Sequence, residues 1–471
     1  MFKSNKKFVI SLLLGQAIGM PMIANAQEKQ ATAEPEIANT QEAQATTEPE
    51  KNIPEERWNA KFQQTYIWQD KPSFNAPYTG PNSLSGAQEE GRSSTATAFF
   101  GLRTWQGGEL YFDPEMSQST AMSGLHGLGG LTNSEQQKSS GPNPIFYRAR
   151  LFLRQTFGFG GGQDAVESGQ NQLAGMVDKR RLVVTVGNLA INDIFDKNAY
   201  ANDPRTQFTN WTFLTQGAYD YASDARGYSW GAVAEYYYDD WAFRIGRFMV
   251  PIQSNGLSLD TRIGKYHGDQ FEIEHAHTIG DQPGKLKFLV FRNKENMGSY
   301  ADAIAYAQAN GGTPDVANVR KDNVKLGYGI NLEQALRSDV GLFARASWND
   351  GSTETYSFTE IENSISTGLA VQGDSWGRAD DTFGLAVAQN GLNKDHREYL
   401  ALGGLGAFIG DGQLINYRPE RIVEAYYNMS LYKKEDKSVA LMAGMQHIDN
   451  PAYNADRGPV NVFTVRIHTE F

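Results

Sequence analysis

Cysteine is absent from this 471-residue chain. Disulfides, thiolate metal sites and cysteine nucleophiles are therefore excluded together. Long apolar runs are missing as well. Mean hydropathy is −0.51, and no apolar run approaches the roughly 18 residues that a membrane helix needs beyond the N-terminus, so a bundle of transmembrane helices is excluded. A transmembrane barrel is not, because its strands turn half their side chains away from lipid. Positive charge is also scarce. With 43 basic and 54 acidic residues the formal net charge is −11, which argues against nucleic acid as a partner.

What is present begins with an export signal. Lys3, Lys6 and Lys7 form a basic start, Phe8 to Ile18 a short apolar stretch, and Ala24-Asn25-Ala26 a small-residue cleavage site. Residues 1–26 read as a signal peptide, whose removal leaves 40 basic residues against 54 acidic ones. Residues 27–56 are built from Ala, Glu, Gln, Thr and Pro, with almost no large apolar side chain to offset the entropy of ordering. They are expected to be a disordered acidic periplasmic leader, with a short helical oligomerisation segment as the alternative. Residues 57–471 make the third unit.

From Phe62 onward apolar and polar residues alternate in segments of about 8 to 12, separated by Gly, Asn, Asp and Pro clusters. The last is the clearest: Phe463, Val465, Ile467, Thr469 and Phe471 share one face, and Thr464, Arg466, His468 and Glu470 the other. Strands are expected at 62–69, 94–105, 109–113, 145–157, 181–188, 230–238, 241–250, 271–279, 285–292, 323–332, 339–348, 364–372, 382–390, 421–432, 438–446 and 461–471. Long and short connections alternate between these sixteen, the parity of an outer-membrane barrel with short periplasmic turns and long external loops. The expected fold is all-β, a transmembrane antiparallel barrel of about 16 strands. One connection, Gly158 to Arg180, is long for a periplasmic turn and leaves room for an extra element.

Several motifs fail on context. Gly227-Tyr228-Ser229-Trp230-Gly231 fits the nucleophile-elbow expression, but a loop precedes it and a strand follows, where an elbow needs strand then helix. Gly160-Gly161-Gly162 has no βαβ unit around it. His275 and His277 could supply part of a transition-metal site, yet hydrogen-bonded lumen imidazoles are the plainer reading. The strongest chemistry is the basic series on 145–157. A charge at mid-depth on the lipid face costs about 2 to 4 kcal/mol, so Arg148, Arg150 and Arg154 are expected to point inward. Arg103, Arg345 and Arg466 fall on the inward phase of their own strands. Pairing with wall carboxylates such as Glu235, Glu424 or Glu470 is the alternative to a solute track. Trp105, Phe152, Tyr237 and Tyr426 share that phase, and an inward ring beside Arg and Glu suits a pyranose.

The connection after 181–188 carries Asn202-Asp203-Pro204-Arg205-Thr206-Gln207-Phe208, Asn210-Trp211, Tyr219-Asp220-Tyr221-Ala222 and Asp224-Ala225-Arg226-Gly227-Tyr228. Gly246-Arg247-Phe248 and Ser254-Asn255-Gly256 follow it. With Gly141-Pro142-Asn143-Pro144 and the Arg148 to Arg154 strand, this resembles the carbohydrate-selective porin family typified by OprB, over nearly all of residues 60–471. The resemblance implies a passive, cofactor-free outer-membrane channel for glucose-like sugars, without catalysis. It also implies a constriction of infolded loops lined by residues such as Asp203, Arg205, Asp220, Asp224 and Arg226. Lipid, lipopolysaccharide and the barrel-assembly machinery are the further expected partners, with monomer or trimer left open. Some relatives look like manganese-uptake porins, so a divalent-cation channel is the alternative and a barrel enzyme the remote one.

Overall fold

The computed structural model describes residues 53–139, 141–357 and 360–471. The signal-peptide segment and all but the last residues of the acidic leader lie outside the described residues. The strands run β1 (Trp58–Lys71), β2 (Glu89–Trp105), β3 (Gly108–Thr120), β4 (Ile145–Gly158), β5 (Gln163–Val166), β6 (Gly175–Asp178), β7 (Arg181–Ala190), β8 (Tyr228–Tyr238) and β9 (Trp241–Phe248). They continue with β10 (His267–Ile279), β11 (Gln282–Met297), β12 (Lys321–Arg337), β13 (Val340–Asn349), β14 (Asn363–Gly373), β15 (Arg378–Gly391), β16 (Glu420–Lys434), β17 (Lys437–Asp449) and β18 (Val460–Glu470). Sixteen of them close one barrel in chain order, β1 pairing with β18 and β4 with β7. Every segment expected from alternation is a wall strand. The two extra strands, β5 and β6, form a separate hairpin inside Gly158 to Arg180, the one connection whose length did not fit.

Side-chain period fixes the two faces. On β18, Phe463, Val465 and Ile467 are 44%, 39% and 45% exposed on the outer surface, while Thr464, Arg466 and His468 are at most 3% exposed. The barrel closes where the Phe62 and Phe471 main chains exchange two hydrogen bonds of 2.9 Å, with their rings 6.4 Å apart outside. Short turns cluster at the end that holds the start of β1. Gly107 and Asp239 take φ of 71° and 51° there, the left-handed geometry that two-residue hairpins require.

The opposite end carries the long connections, two of which contain α-helices of eight or more residues absent from the strand reading. Tyr300–Asn310 follows β11 and begins at Ser299, whose hydroxyl accepts the Asp302 N–H at 3.3 Å. Lys394–Ala401 follows β15. Tyr300 stacks on His396 at 4.1 Å, so the two helices pack face to face over that part of the rim.

Candidate functional site

The connection from β7 to β8 does not project outward; it folds into the barrel and is bonded to the inner wall on many strands. Asp196 takes the Arg345 guanidinium of β13 at 3.5 Å. Asn198 donates to Asn331 of β12 at 2.7 Å. Thr209 and Asn210 give their backbone N–H groups to Glu424 of β16, and Asn210 also reaches Gln446 of β17. Asp220 meets Lys325 of β12 at 3.2 Å. Arg466 of β18 donates to the carbonyls of Pro204 and Gln207 at 2.9 and 2.6 Å. Glycines in the wall make room for this approach. A Cβ on Gly329 would fall 1.8 Å from Gln216 Oε1, and one on Gly341 1.9 Å from the Tyr200 ring.

The connection is also braced within itself. Asp203 accepts the Arg205 N–H and the Thr206 hydroxyl, each at 2.9 Å, and Gln207 accepts the N–H groups of Asn202 and Asp203. Asp224 accepts the N–H groups of Arg226 and Tyr228. Asp220 instead ties the loop to the β13–β14 connection, accepting the N–H groups of Tyr356 and Ser357. The acidic residues of this segment therefore shape the loop as much as they face any solute.

Because the connection is anchored on β12, β13 and β16 to β18, the free space lies against the opposite wall. A cavity of about 370 Å³ remains there, lined by the connection, by β1, β2, β4 and β7, and by the segment between β3 and β4. Its lining extends from Tyr228 at the long-loop end to Gln63 and Gln172 at the short-turn end. Arg150, Arg154 and Phe152 lie together on the β4 side, as alternation predicts. Arg150 binds Asp193 through Nε and Nη2 at 2.6 and 2.8 Å and Asp113 at 3.3 Å. Burial alone would raise Asp193, yet the Arg150 guanidinium outweighs it and holds this carboxyl below its usual range. Arg154 donates to the Asn171 carbonyl at 3.0 Å and lies over the Tyr111 and Phe152 rings. Across the cavity Arg205 reaches Glu115 and Glu135, both at 2.9 Å, and Thr97 at 3.1 Å. Arg226 lies over the Tyr147 ring at 4.4 Å.

Other expected positions fall elsewhere. Arg148 is exposed on the outer face, 5.0 Å from the Trp230 ring. The pairing of β4 with β3 slips between Asp113 and Pro114, so that Arg150 faces Asp113, Arg148 faces Pro114, and Ala149 is the unpaired extra residue. Proline has no N–H to give the ladder, and the bulge beside it reverses the side-chain phase of everything upstream. Trp105 lies beyond a second slip, at the short-turn rim, 55% exposed and donating to Gln155 at 2.6 Å. Arg103 and Glu235 point inward but are already engaged: Arg103 by Glu55, just before β1, and Glu109 of the wall, Glu235 by Arg244 and Tyr237 of the wall. Arg466 is fully buried beneath the loop it anchors. His275 faces outward with Trp241, 4.3 Å between rings, and His277 with it, so neither imidazole lines the lumen. Ser229 donates to the Met249 carbonyl inside the barrel wall, not to a catalytic base.

The cavity also has residues that alternation could not select. Lys138 comes from the β3 to β4 connection, Lys197 from the infolded one, and Gln170, Asn171 and Gln172 from the hairpin segment at the short-turn end. That segment is held by Glu56, which exchanges backbone and side-chain bonds with Ala174 just before β1 begins. In all, six basic side chains and three acidic ones line the space, in a chain whose overall charge is negative.

Comparison with known proteins bears on this geometry. The family model described as "Carbohydrate-selective porin, OprB family" matches residues 101–471. Among solved structures, OprB of Pseudomonas putida at high pH superposes with a TM-score of 0.63 at 15% identity, covering 88% of this chain and 94% of that one. The low-pH structure of the same protein gives 0.46 at 12% identity, over 88% and 93%. No curated protein matches by sequence.

Proposed function

Because the chain belongs to the OprB family of carbohydrate-selective porins, and is thereby an outer-membrane channel, we propose that it passes small sugars by diffusion along the β4 side of the lumen. The long-loop end is then extracellular and the short-turn end periplasmic. The observation that carries the reading is the lining itself. The Lys197 ammonium, the Arg154 guanidinium and the Gln63 amide offer donors to hydroxyls, beside the Phe152 and Tyr228 rings, in a lining that the ion-paired Arg150 and Arg205 complete. Nothing in a passive channel of this kind calls for catalysis or a cofactor.

Passage of a divalent cation such as manganese has less support. Six basic against three acidic side chains repel cations, and His275 and His277 stand outside the lumen. Purified protein in planar bilayers tests the assignment: glucose is expected to reduce single-channel current in a saturable way. Current insensitive to glucose, with a reversal potential favouring manganese over chloride, refutes it.

A further inference from the structure

Each carboxylate of the cavity lining already has a partner. Glu135 holds Arg205 at 2.9 Å, Asp193 holds Arg150 through both oxygens, and Asp203 is turned to its own loop. Lys197 is left over. Its side chain is exposed to the lumen, and among the described residues it makes no ion pair and no side-chain hydrogen bond. Arg154 is only loosely paired, donating to the Asn171 carbonyl at 3.0 Å. Its carboxylate neighbour Glu109 is 3.7 Å away and is shared with Arg103 at 3.2 Å and with the Tyr111 hydroxyl at 2.8 Å.

The two cations line the same cavity. Enclosure by protein pulls the Lys197 ammonium below the usual lysine range; Asp193 and Glu235 oppose this, and the positive fields of Arg154 and Lys287 add to it. Like charges facing one passage, one of them without an ion-pair partner, are stabilised when an anion sits between them. The surroundings fit a polyol more than a bare ion. Asn171, Gln172 and Asn192 line the same space, and the Phe152 ring lies beneath the Arg154 guanidinium.

We propose that Lys197 and Arg154 form a subsite for the carboxylate of an acidic sugar, so that the channel takes hexuronates and aldonates in preference to neutral hexoses. This rests on the sugar-channel reading and names its solute class. The main chain at Lys197 is fixed independently, since its carbonyl accepts from Lys287 and from Asn331. The side chain can therefore be changed without unpinning the loop.

The test is single-channel block of the full chain by sodium D-glucuronate and by D-glucose. A charged pair gained on binding makes glucuronate block the parent at a concentration about tenfold lower than glucose. Lys197→Gln brings the two solutes within about twofold, and Lys197→Arg restores the gap. Block by glucose as tight as by glucuronate in the parent, or parental glucuronate block in Lys197→Gln, overturns the subsite while leaving the sugar channel standing. If neither solute blocks the parent, the sugar-channel reading fails and the subsite with it.

Discussion

Lys325, on the inner face of β12, holds Asp220 of the infolded connection at 3.2 Å, with both side chains buried. Asp220 also takes the N–H groups of Tyr356 and Ser357, so one carboxylate joins two loops and a wall strand. Lys325→Met removes the counter-charge and strands a buried carboxylate, a change that costs about 3 to 5 kcal/mol. The connection is expected to leave the wall, raising single-channel conductance while the barrel stays assembled. Parental conductance in this variant shows that Asp220 is not what holds the loop.

A steric route reaches the same loop without touching charge. Gly329→Val places a Cβ where Gln216 Oε1 now lies, with the Ala346 carbonyl 2.9 Å from the same point. Overpacking of this kind costs about 1 to 3 kcal/mol. The loop is the movable partner, so conductance should rise and residues near Gln216 should become accessible to protease from outside. Gly264→Ala, whose Cβ would meet nothing within 4 Å, serves as the comparison for a change away from the infolded connection.

The wall was legible because a barrel strand writes its two environments in period two, and parity then decided which connections are long. What the pattern could not carry was phase across an interruption. Arg148 and Arg154 sit on one sequence parity, yet Ala149 is an unpaired residue opposite the Asp113–Pro114 step, and the side chains beyond it change face. Pro114 was the available signal. Side chains supplied by connections obey no period, which is why Lys138 and Lys197 escaped selection although both line the cavity. Asp220 enters through the family resemblance of its loop and Arg466 through the inward phase of its strand, but their role as anchors depends on contacts across more than a hundred residues of sequence.

Phe471 closes the barrel through two main-chain bonds to Phe62 and extends the outer apolar stripe. Deleting it removes both bonds and one lipid-facing ring. Heat-modifiable protein in the outer-membrane fraction is expected to fall several-fold, where loss of a frayed terminal residue changes nothing. Equal amounts of parent and deletion variant in that fraction sink the idea.

The bulge at Ala149 gives the sharpest separation of structure from sequence pattern, because three arginines on one strand now have two different fates. Arg150 and Arg154 line the cavity, whereas Arg148 stands on the outer face over Trp230. Charge in the lumen sets the local concentration of permeating ions; charge outside it, screened by solvent and headgroups, does not. Arg154→Gln should therefore shift the reversal potential toward cations and weaken sugar block, while Arg148→Gln leaves both unchanged. Arg150→Gln is a harsher change, since it leaves Asp193 and Asp113 without their guanidinium. The stranded carboxylates add negative charge to the same passage, so its shift toward cations should exceed that of Arg154→Gln at equal salt. Raising ionic strength from about 0.1 M to 1 M shortens the screening length from about 10 to 3 Å and should shrink both shifts. If Arg148→Gln alters selectivity as much as Arg154→Gln, the phase reversal is wrong and the ladder is continuous after all.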